Sequence, residues 1–157
     1  MKRLLFVCAG NSCRSPMAEA IFRARMPAAW AGFLEVSSAG TVAWEGQPAS
    51  NLAVDVLAED GIDLSAHRAR LLTREMIEDA DLVVVMENRH KERIGLLAPK
   101  LETPIVVLGE LDDGRDSPDI DDPIGGDRVR YERTRAELYV LVDRLIDYFV
   151  DLFDFSK

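Results

Sequence analysis

The chain has 157 residues, of which 48% are hydrophobic and 30% charged, a composition typical of one folded globular domain. Its 19 Lys and Arg residues against 28 Asp and Glu give a formal net charge of -9, which argues against binding to nucleic acid or to an anionic membrane. The apolar runs are far shorter than the roughly 20 residues of a spanning helix. We therefore expect a single soluble domain over residues 1–157, acting as a monomer.

Strands and helices are predicted to alternate along the chain. In chain order, the patterns predict a strand at 4–7, a helix at 17–26 with Ser15 as its cap, a strand at 34–38, a helix at 48–60, a short helix at 73–79, a strand at 81–86, a helix at 88–97, a strand at 103–108 and a long helix at 127–153. This order predicts an α/β fold with a mostly parallel sheet covered on both faces. Ligands of such sheets bind at the carboxyl ends of the strands.

The two cysteines, Cys8 and Cys13, are five residues apart in one predicted loop. This spacing does not resemble the disulfide framework of a small secreted domain. We therefore expect reduced thiols and a cytoplasmic location.

The loop from Cys8 to Ser15 joins a buried strand to a helix, so its backbone amides can surround an anion at the helix N-terminus. Phosphate is the expected anion, and the residues predicted to bind it are Ala9, Gly10, Asn11, Ser12, Cys13, Arg14 and Ser15.

Cys8 stands at the start of this loop, where the positive field and Arg14 are expected to lower its pKa and supply a nucleophilic thiolate. Arg14 can hold two phosphoryl oxygens in a bidentate pair. Gly10 is expected to take a positive φ or to approach the ligand closely, and the Ser15 hydroxyl to hydrogen-bond the thiolate.

A general acid is also required, because the leaving atom of a phosphoryl transfer needs a proton. The irregular segment 109–126 contains four candidates, Asp116, Asp119, Asp121 and Asp122. Their spacing does not choose among them. His90, between charged neighbours on a polar helix, is expected to be exposed.

The segment Cys8–Glu19 resembles the active-site loop of the low-molecular-weight protein tyrosine phosphatase family. Segments 38–40, 61–70 and 122–126 resemble other parts of the same family, so the resemblance covers nearly the whole chain. It implies a three-layer domain with a four-stranded parallel sheet flanked by helices, without metal or cofactor. It also implies hydrolysis of phosphorylated proteins through a phosphocysteine intermediate, with Asp122 as the acid. Asn11 and Ser38 are implied to brace the loop, and a buried His67 to hydrogen-bond toward it.

Two positions depart from the pattern for phosphotyrosine. Ser12 replaces a common aliphatic residue, and Ile124 replaces an aromatic residue that would stack on the phenyl ring. The small hydroxyl of Ser12 resembles the residue that the protein-arginine phosphatase branch has at this position. With a phosphoarginine substrate, Asp121 and Asp122 are implied to bind the guanidinium. Phosphotyrosine is the expected substrate and phosphoarginine the alternative. Trp44 is expected either to line the cleft or to pack as a partly buried side chain.

Two lesser alternatives use the same loop. Arsenate reduction requires additional cysteines to carry a disulfide away from the nucleophile, and the chain has only Cys8 and Cys13. A phosphate-binding redox sensor would bind phosphate without releasing it from a substrate. In either an enzyme or a sensor, a reversible Cys8–Cys13 disulfide is expected to protect the nucleophile from overoxidation.

Overall fold

The computed structural model describes residues 1–155 and contains four parallel strands in one sheet. The strands are β1 (Lys2–Cys8), β2 (Leu34–Gly40), β3 (Leu82–Val85) and β4 (Ile105–Val107), in the spatial order β2-β1-β3-β4. Val7 pairs with both Ala39 and Val85, so the carboxyl ends of three strands lie at one edge of the sheet. The predicted α/β fold with a four-stranded parallel sheet is therefore confirmed.

Five α-helices within the described residues surround the sheet. They are α1 (Arg14–Arg25), α2 (Asn51–Ala58), α3 (Arg74–Asp79), α4 (Asn88–Leu97) and α5 (Arg128–Phe153). The prediction that Ser15 caps the first helix is wrong, because α1 begins at Arg14 and Cys13 occupies the cap position. Ser15 lies inside the first turn, which leaves its hydroxyl available to the preceding loop. No helix within residues 1–155 is long and apolar enough to span a membrane.

The two faces of the sheet pack into two separate hydrophobic clusters. Leu4 and Phe6 of β1 join the cluster formed with α1, α2 and α5, whereas Leu5 and Val7 join the cluster formed with α3 and α4. These four side chains are nearly inaccessible to solvent, and burial of each contributes about 1.5–3 kcal/mol. Strand β1 is thus fixed from both faces, and it carries Cys8 at its end.

Gly40, at the end of β2, lies directly against the loop that follows β1. A Cβ atom built on Gly40 would lie 2.9 Å from the backbone nitrogen of Asn11 and 2.9 Å from the Ala43 Cβ, closer than side-chain carbons normally come. The missing side chain lets β2 and the loop meet without displacing backbone. The position of the loop therefore depends on a glycine at residue 40.

We predict that Gly40→Ala lowers the free energy of unfolding by about 1–3 kcal/mol, because the added methyl group has no space. Urea denaturation measures this change. Gly32→Ala is the matched control, since a Cβ at Gly32 meets nothing within 4 Å. Equal stability of the two variants would contradict the prediction.

Candidate active site

The loop between β1 and α1 encloses a small cavity at the carboxyl edge of the sheet, with a volume of about 100 Å³. The residues lining it are Cys8, Gly10, Ser12, Cys13, Arg14, Asp122 and Ile124. The first five come from the loop and the start of α1, and the last two from the irregular segment before α5. The structure therefore brings the predicted nucleophile, arginine and acid to one cavity.

The Cys8 thiol is buried and hydrogen-bonded within the loop. Its Sγ lies 2.8 Å from the Ser15 Oγ and accepts the Asn11 backbone N–H at 3.3 Å. Because the Ser15 oxygen also accepts from Asn11 Nδ2 at 2.9 Å, its own hydrogen is free to point at the sulfur. A donated hydrogen of this kind stabilises the thiolate.

The prediction that Cys8 has a lowered pKa is wrong. Burial raises the pKa of the Cys8 thiol, while the Ser15 hydrogen bond and the charge of Arg14 act in the opposite direction without overcoming it. The cause is desolvation, which disfavours a charged sulfur in a closed site. Formation of the thiolate consequently depends on Ser15 and Arg14.

The Arg14 guanidinium is 1% exposed and only partly paired. Its Nη1 donates to Glu87 Oε2 at 2.6 Å and to the Ile120 carbonyl at 2.7 Å. Its Nη2 lies 3.5 Å from Asp122 Oδ2 and makes no hydrogen bond to any residue among 1–155. Buried donors are rarely left unpaired, so a phosphoryl oxygen in the cavity would supply the missing acceptor.

Glu87 is a site residue that the sequence reasoning missed. It directly follows Met86 after β3 and precedes α4, at the same edge of the sheet as Cys8. Burial acts to raise the pKa of Glu87, but hydrogen bonds from Arg14 and Arg89 hold it below its ordinary value. Glu87 is therefore the carboxylate that balances the buried charge of Arg14. An acidic residue at the end of a predicted parallel strand was the available signal.

Asn11 gives the loop its shape. Asn11, and not Gly10, takes the positive φ, at 53°. Of the two expectations for Gly10, the positive φ is therefore wrong, and the close approach to a ligand stays a prediction. The Asn11 Nδ2 donates to the Ser15 and Ser38 hydroxyls at 2.9 Å each, and its Oδ1 accepts the Arg70 backbone N–H at 2.9 Å. These bonds hold a backbone conformation that is unfavourable for residues other than glycine.

The other two predicted supporting residues also contact Asn11. Ser38 is buried at the end of β2 beneath the loop, where it accepts the Asn11 amide. His67 is half-buried, and its Nε2 donates to the Asn11 carbonyl at 2.8 Å. Both side chains thus reach the cavity only through the loop.

The structure separates the four aspartates that spacing alone did not separate. Asp116 is exposed, and Asp119 Oδ1 accepts the Asn88 backbone N–H at 2.8 Å at the start of α4. Asp121 lines a different cavity against α5. Asp122 lines the cavity of Cys8, and its carbonyl accepts from Arg130 Nη2 at 3.1 Å.

Comparison with known proteins identifies the family. The model of the low molecular weight phosphotyrosine protein phosphatase family matches residues 3–150. The chain belongs to this family. The probable low molecular weight protein-tyrosine-phosphatase EpsP of Ralstonia solanacearum is 39% identical over 143 residues, which are 91% of this chain and 92% of that protein. The protein-arginine-phosphatase of Geobacillus stearothermophilus is 42% identical over 146 residues, which are 92% of this chain and 94% of that protein.

A solved structure adds a chemical observation. It is a mutant of the YwlE arginine phosphatase with a phosphorylated active-site serine, and it has a TM-score of 0.82 and 36% identity to this chain. The match covers 93% of this chain and 94% of that one. Similar sequences and structures in the low molecular weight phosphatase family thus carry names for two different substrates.

Three further expectations concern residues around the cavity of this low molecular weight phosphatase. Ser12 and Ile124 line it, and Ile124 is 53% exposed. Trp44 is 78% exposed, so the expectation of a partly buried packing tryptophan is wrong. Trp44 is also not among the residues that line the cavity of Cys8, so its expected place in the cleft stays a prediction without support from that cavity. His90 is 2% exposed, and the prediction of an exposed residue is wrong because its ring caps α4 behind Glu87.

We predict that Ser15→Ala raises the pKa of Cys8 further, because it removes a hydrogen bond that favours the thiolate. The pH dependence of Cys8 alkylation by iodoacetamide, followed by mass spectrometry, should shift to higher pH. Ser37→Ala, at the neighbouring position to Ser38 on β2, is the control and should leave the profile unchanged. An unshifted profile for Ser15→Ala would show that the hydroxyl does not stabilise the thiolate.

Proposed function

We propose that this protein is a protein tyrosine phosphatase that transfers the phosphoryl group of its substrate first to Cys8 and then to water. The observation that carries this proposal is the buried guanidinium of Arg14, whose Nη2 makes no hydrogen bond within residues 1–155 and belongs to the same cavity as the Cys8 thiol and Asp122. A phosphoryl group placed there would meet a nucleophile, a bidentate cation and an acid together. Each of these roles is needed for hydrolysis of a phosphomonoester.

In the first step the Cys8 thiolate attacks phosphorus, an S–P bond forms and the bond from phosphorus to the leaving oxygen breaks. Asp122, in its acid form, gives its proton to the leaving oxygen. Arg14 and the loop amides hold the three remaining oxygens, whose charge they stabilise through the transition state. The hydrogen bond from Arg130 to the Asp122 carbonyl supports the position of this acid.

In the second step water attacks the phosphocysteine. The Asp122 carboxylate takes a proton from the water, a bond from water oxygen to phosphorus forms and the S–P bond breaks. The electron pair returns to the Cys8 sulfur, where the Ser15 hydroxyl stabilises the departing thiolate. The phosphorylated active-site serine of the arginine phosphatase mutant supports a covalent route of this kind.

Phosphoarginine is a second candidate substrate, and two lining residues favour it. Ile124 cannot stack on a phenyl ring, which forgoes about 0.5–1.5 kcal/mol of aromatic pairing. Ser12 presents a small hydroxyl to the cavity in place of an aliphatic group. Against this candidate, Asp121 lines a different cavity, so of the two aspartates expected to bind a guanidinium only Asp122 lines the cavity of Cys8.

Parallel hydrolysis of phosphotyrosine and phosphoarginine peptides tests both substrates. We predict turnover of phosphotyrosine by the wild type, loss of turnover in Cys8→Ser, and a decrease of about 100-fold or more in Asp122→Asn because the leaving oxygen lacks its proton. Ser12→Ile should shift preference further toward phosphotyrosine. Higher kcat/KM for phosphoarginine in the wild type would assign the second substrate instead, and release of phosphate by Cys8→Ser would contradict the mechanism.

We also propose that Cys13 protects the nucleophile. Both thiols are free and both line the cavity. Peroxide would oxidise the Cys8 thiolate to a sulfenic acid, and the Cys13 thiol would then displace water to form a disulfide that a thiol reductant opens. The Cys13 Sγ lies 3.3 Å from both the Ser50 and Tyr131 hydroxyls, so disulfide formation would compete with these two contacts.

We predict that peroxide inactivates the wild type reversibly and inactivates Cys13→Ala irreversibly. Activity recovered after treatment with dithiothreitol is the measurement. Ser50→Ala is the control, because it alters a contact of Cys13 but retains both thiols. Full recovery of Cys13→Ala would eliminate the protective disulfide.

Three broader proposals accompany this function: a single domain over residues 1–157, a monomeric state and a cytoplasmic location. The single domain is supported by the two hydrophobic clusters, which pack against opposite faces of one sheet. Residues 156 and 157 lie outside the described part of the chain. A monomer is proposed because Cys8, Arg14 and Asp122 meet within one chain, so the proposed reaction needs no residue from a second copy. A reducing compartment would keep Cys8 active.

A further inference from the structure

His90 is a buried histidine that the proposed reaction does not use. It is the third residue of α4, and its Nδ1 accepts the Glu87 backbone N–H at 3.1 Å. A backbone N–H can only donate, so the proton of the neutral ring is on Nε2. Burial lowers the pKa of His90 to about 4, and the charge of Arg14 acts in the same direction, so the ring is neutral near pH 7.

The Nε2–H of this ring faces the carboxylate that holds Arg14. Nε2 lies 3.5 Å from Glu87 Oε2, the oxygen that accepts from Arg14 Nη1 at 2.6 Å. It makes no hydrogen bond to any group within residues 1–155, so the 3.5 Å approach to Oε2 is a contact and not a hydrogen bond. A buried N–H without a hydrogen bond is unfavourable. The capping contact uses only Nδ1, so it does not by itself account for a donor placed beside Oε2.

Glu87 is fixed from a second direction as well. Arg89 donates to the same Oε2 through Nε at 3.1 Å and Nη2 at 2.9 Å, but its side chain is 62% exposed. An exposed arginine retains much of its rotamer freedom and constrains a partner weakly. The buried contacts of the Glu87 carboxylate are with Arg14, with the His90 backbone N–H, which donates to it in the capping box, and with the His90 ring at 3.5 Å.

We propose that His90 is a positioning residue for Arg14, because its ring holds the Glu87 carboxylate where Oε2 directs the guanidinium into the cavity. The inference rests on the proposed function, since it concerns how the phosphoryl group is bound. In the transition state the phosphoryl oxygens spread into a trigonal arrangement. A misdirected guanidinium loses more interaction energy with these oxygens than with those of the bound substrate. His90 therefore acts on transition-state binding more than on binding of the ground state.

The role of His90 in transition-state binding is tested by calorimetry, which measures the affinities for inorganic vanadate and for inorganic phosphate. Vanadate takes up the five-coordinate geometry of the transition state, and phosphate reports the ground state. His90→Leu should weaken vanadate binding by up to about 100-fold and phosphate binding by less. His90→Gln, which keeps an acceptor for the Glu87 N–H and a donor for Oε2, should restore most of the vanadate affinity.

Thr73→Ala is the matched control, because it removes the cap of α3 away from the cavity. It should lower the melting temperature and leave both affinities unchanged. The ratio of the two affinities does not depend on the folded fraction, so loss of stability alone cannot change it. A wild-type ratio in His90→Leu would overturn the inference. A wild type that neither binds vanadate nor hydrolyses nitrophenyl phosphate would overturn the proposed function and the inference with it.

A spectroscopic measurement on the wild type covers the case in which His90→Leu does not fold. The buried Nε2–H should exchange slowly with water and give its own nuclear magnetic resonance signal. Vanadate should shift that signal, because engagement of Arg14 changes the charge at Glu87 Oε2. An unchanged signal at saturating vanadate would overturn the inference.

Discussion

The hydrogen bonds of the Asn11 side chain connect the phosphate loop to β2, to the start of α1 and to the segment that carries Arg70. A positive φ at a residue other than glycine costs about 1–3 kcal/mol, and these contacts offset that cost. The same contacts orient the Ser15 hydroxyl toward the Cys8 sulfur. Loop shape and thiolate stabilisation therefore both depend on the Asn11 amide.

The charge in the cavity is balanced across the sheet. Arg14 begins α1 and Glu87 follows β3, so their ion pair is made only when β1 and β3 pair in the observed register. Breaking a buried ion pair by removal of one partner typically costs about 3–5 kcal/mol, because the other charge is left uncompensated. The catalytic geometry and the stability of the sheet edge are thus coupled through Arg14.

The sequence alone was sufficient to predict those features that depend on residues close together in the chain. The alternation of elements predicted the sheet, and the six-residue spacing of Cys8 and Arg14 predicted the loop. The sequence was insufficient to predict contacts between residues that are far apart in the chain. Glu87 is 73 residues from Arg14, and no local pattern connects the two. The exposure of His90 and the pKa of Cys8 were predicted wrongly because both depend on burial in the assembled structure. Choice of Asp122 needed the family resemblance, since only its three-dimensional position distinguishes it from Asp119 and Asp121.

The two lining residues that differ from the tyrosine pattern lie outside the network that shapes the loop. Ser12 Oγ has only a long contact of 3.7 Å to the Cys13 sulfur, and Ile124 is half exposed and hydrogen-bonded through its backbone to Asp122. Substitutions at such positions cost little stability. The wall of the cavity at residues 12 and 124 can therefore change its chemistry while the loop that carries Cys8 and Arg14 keeps its shape.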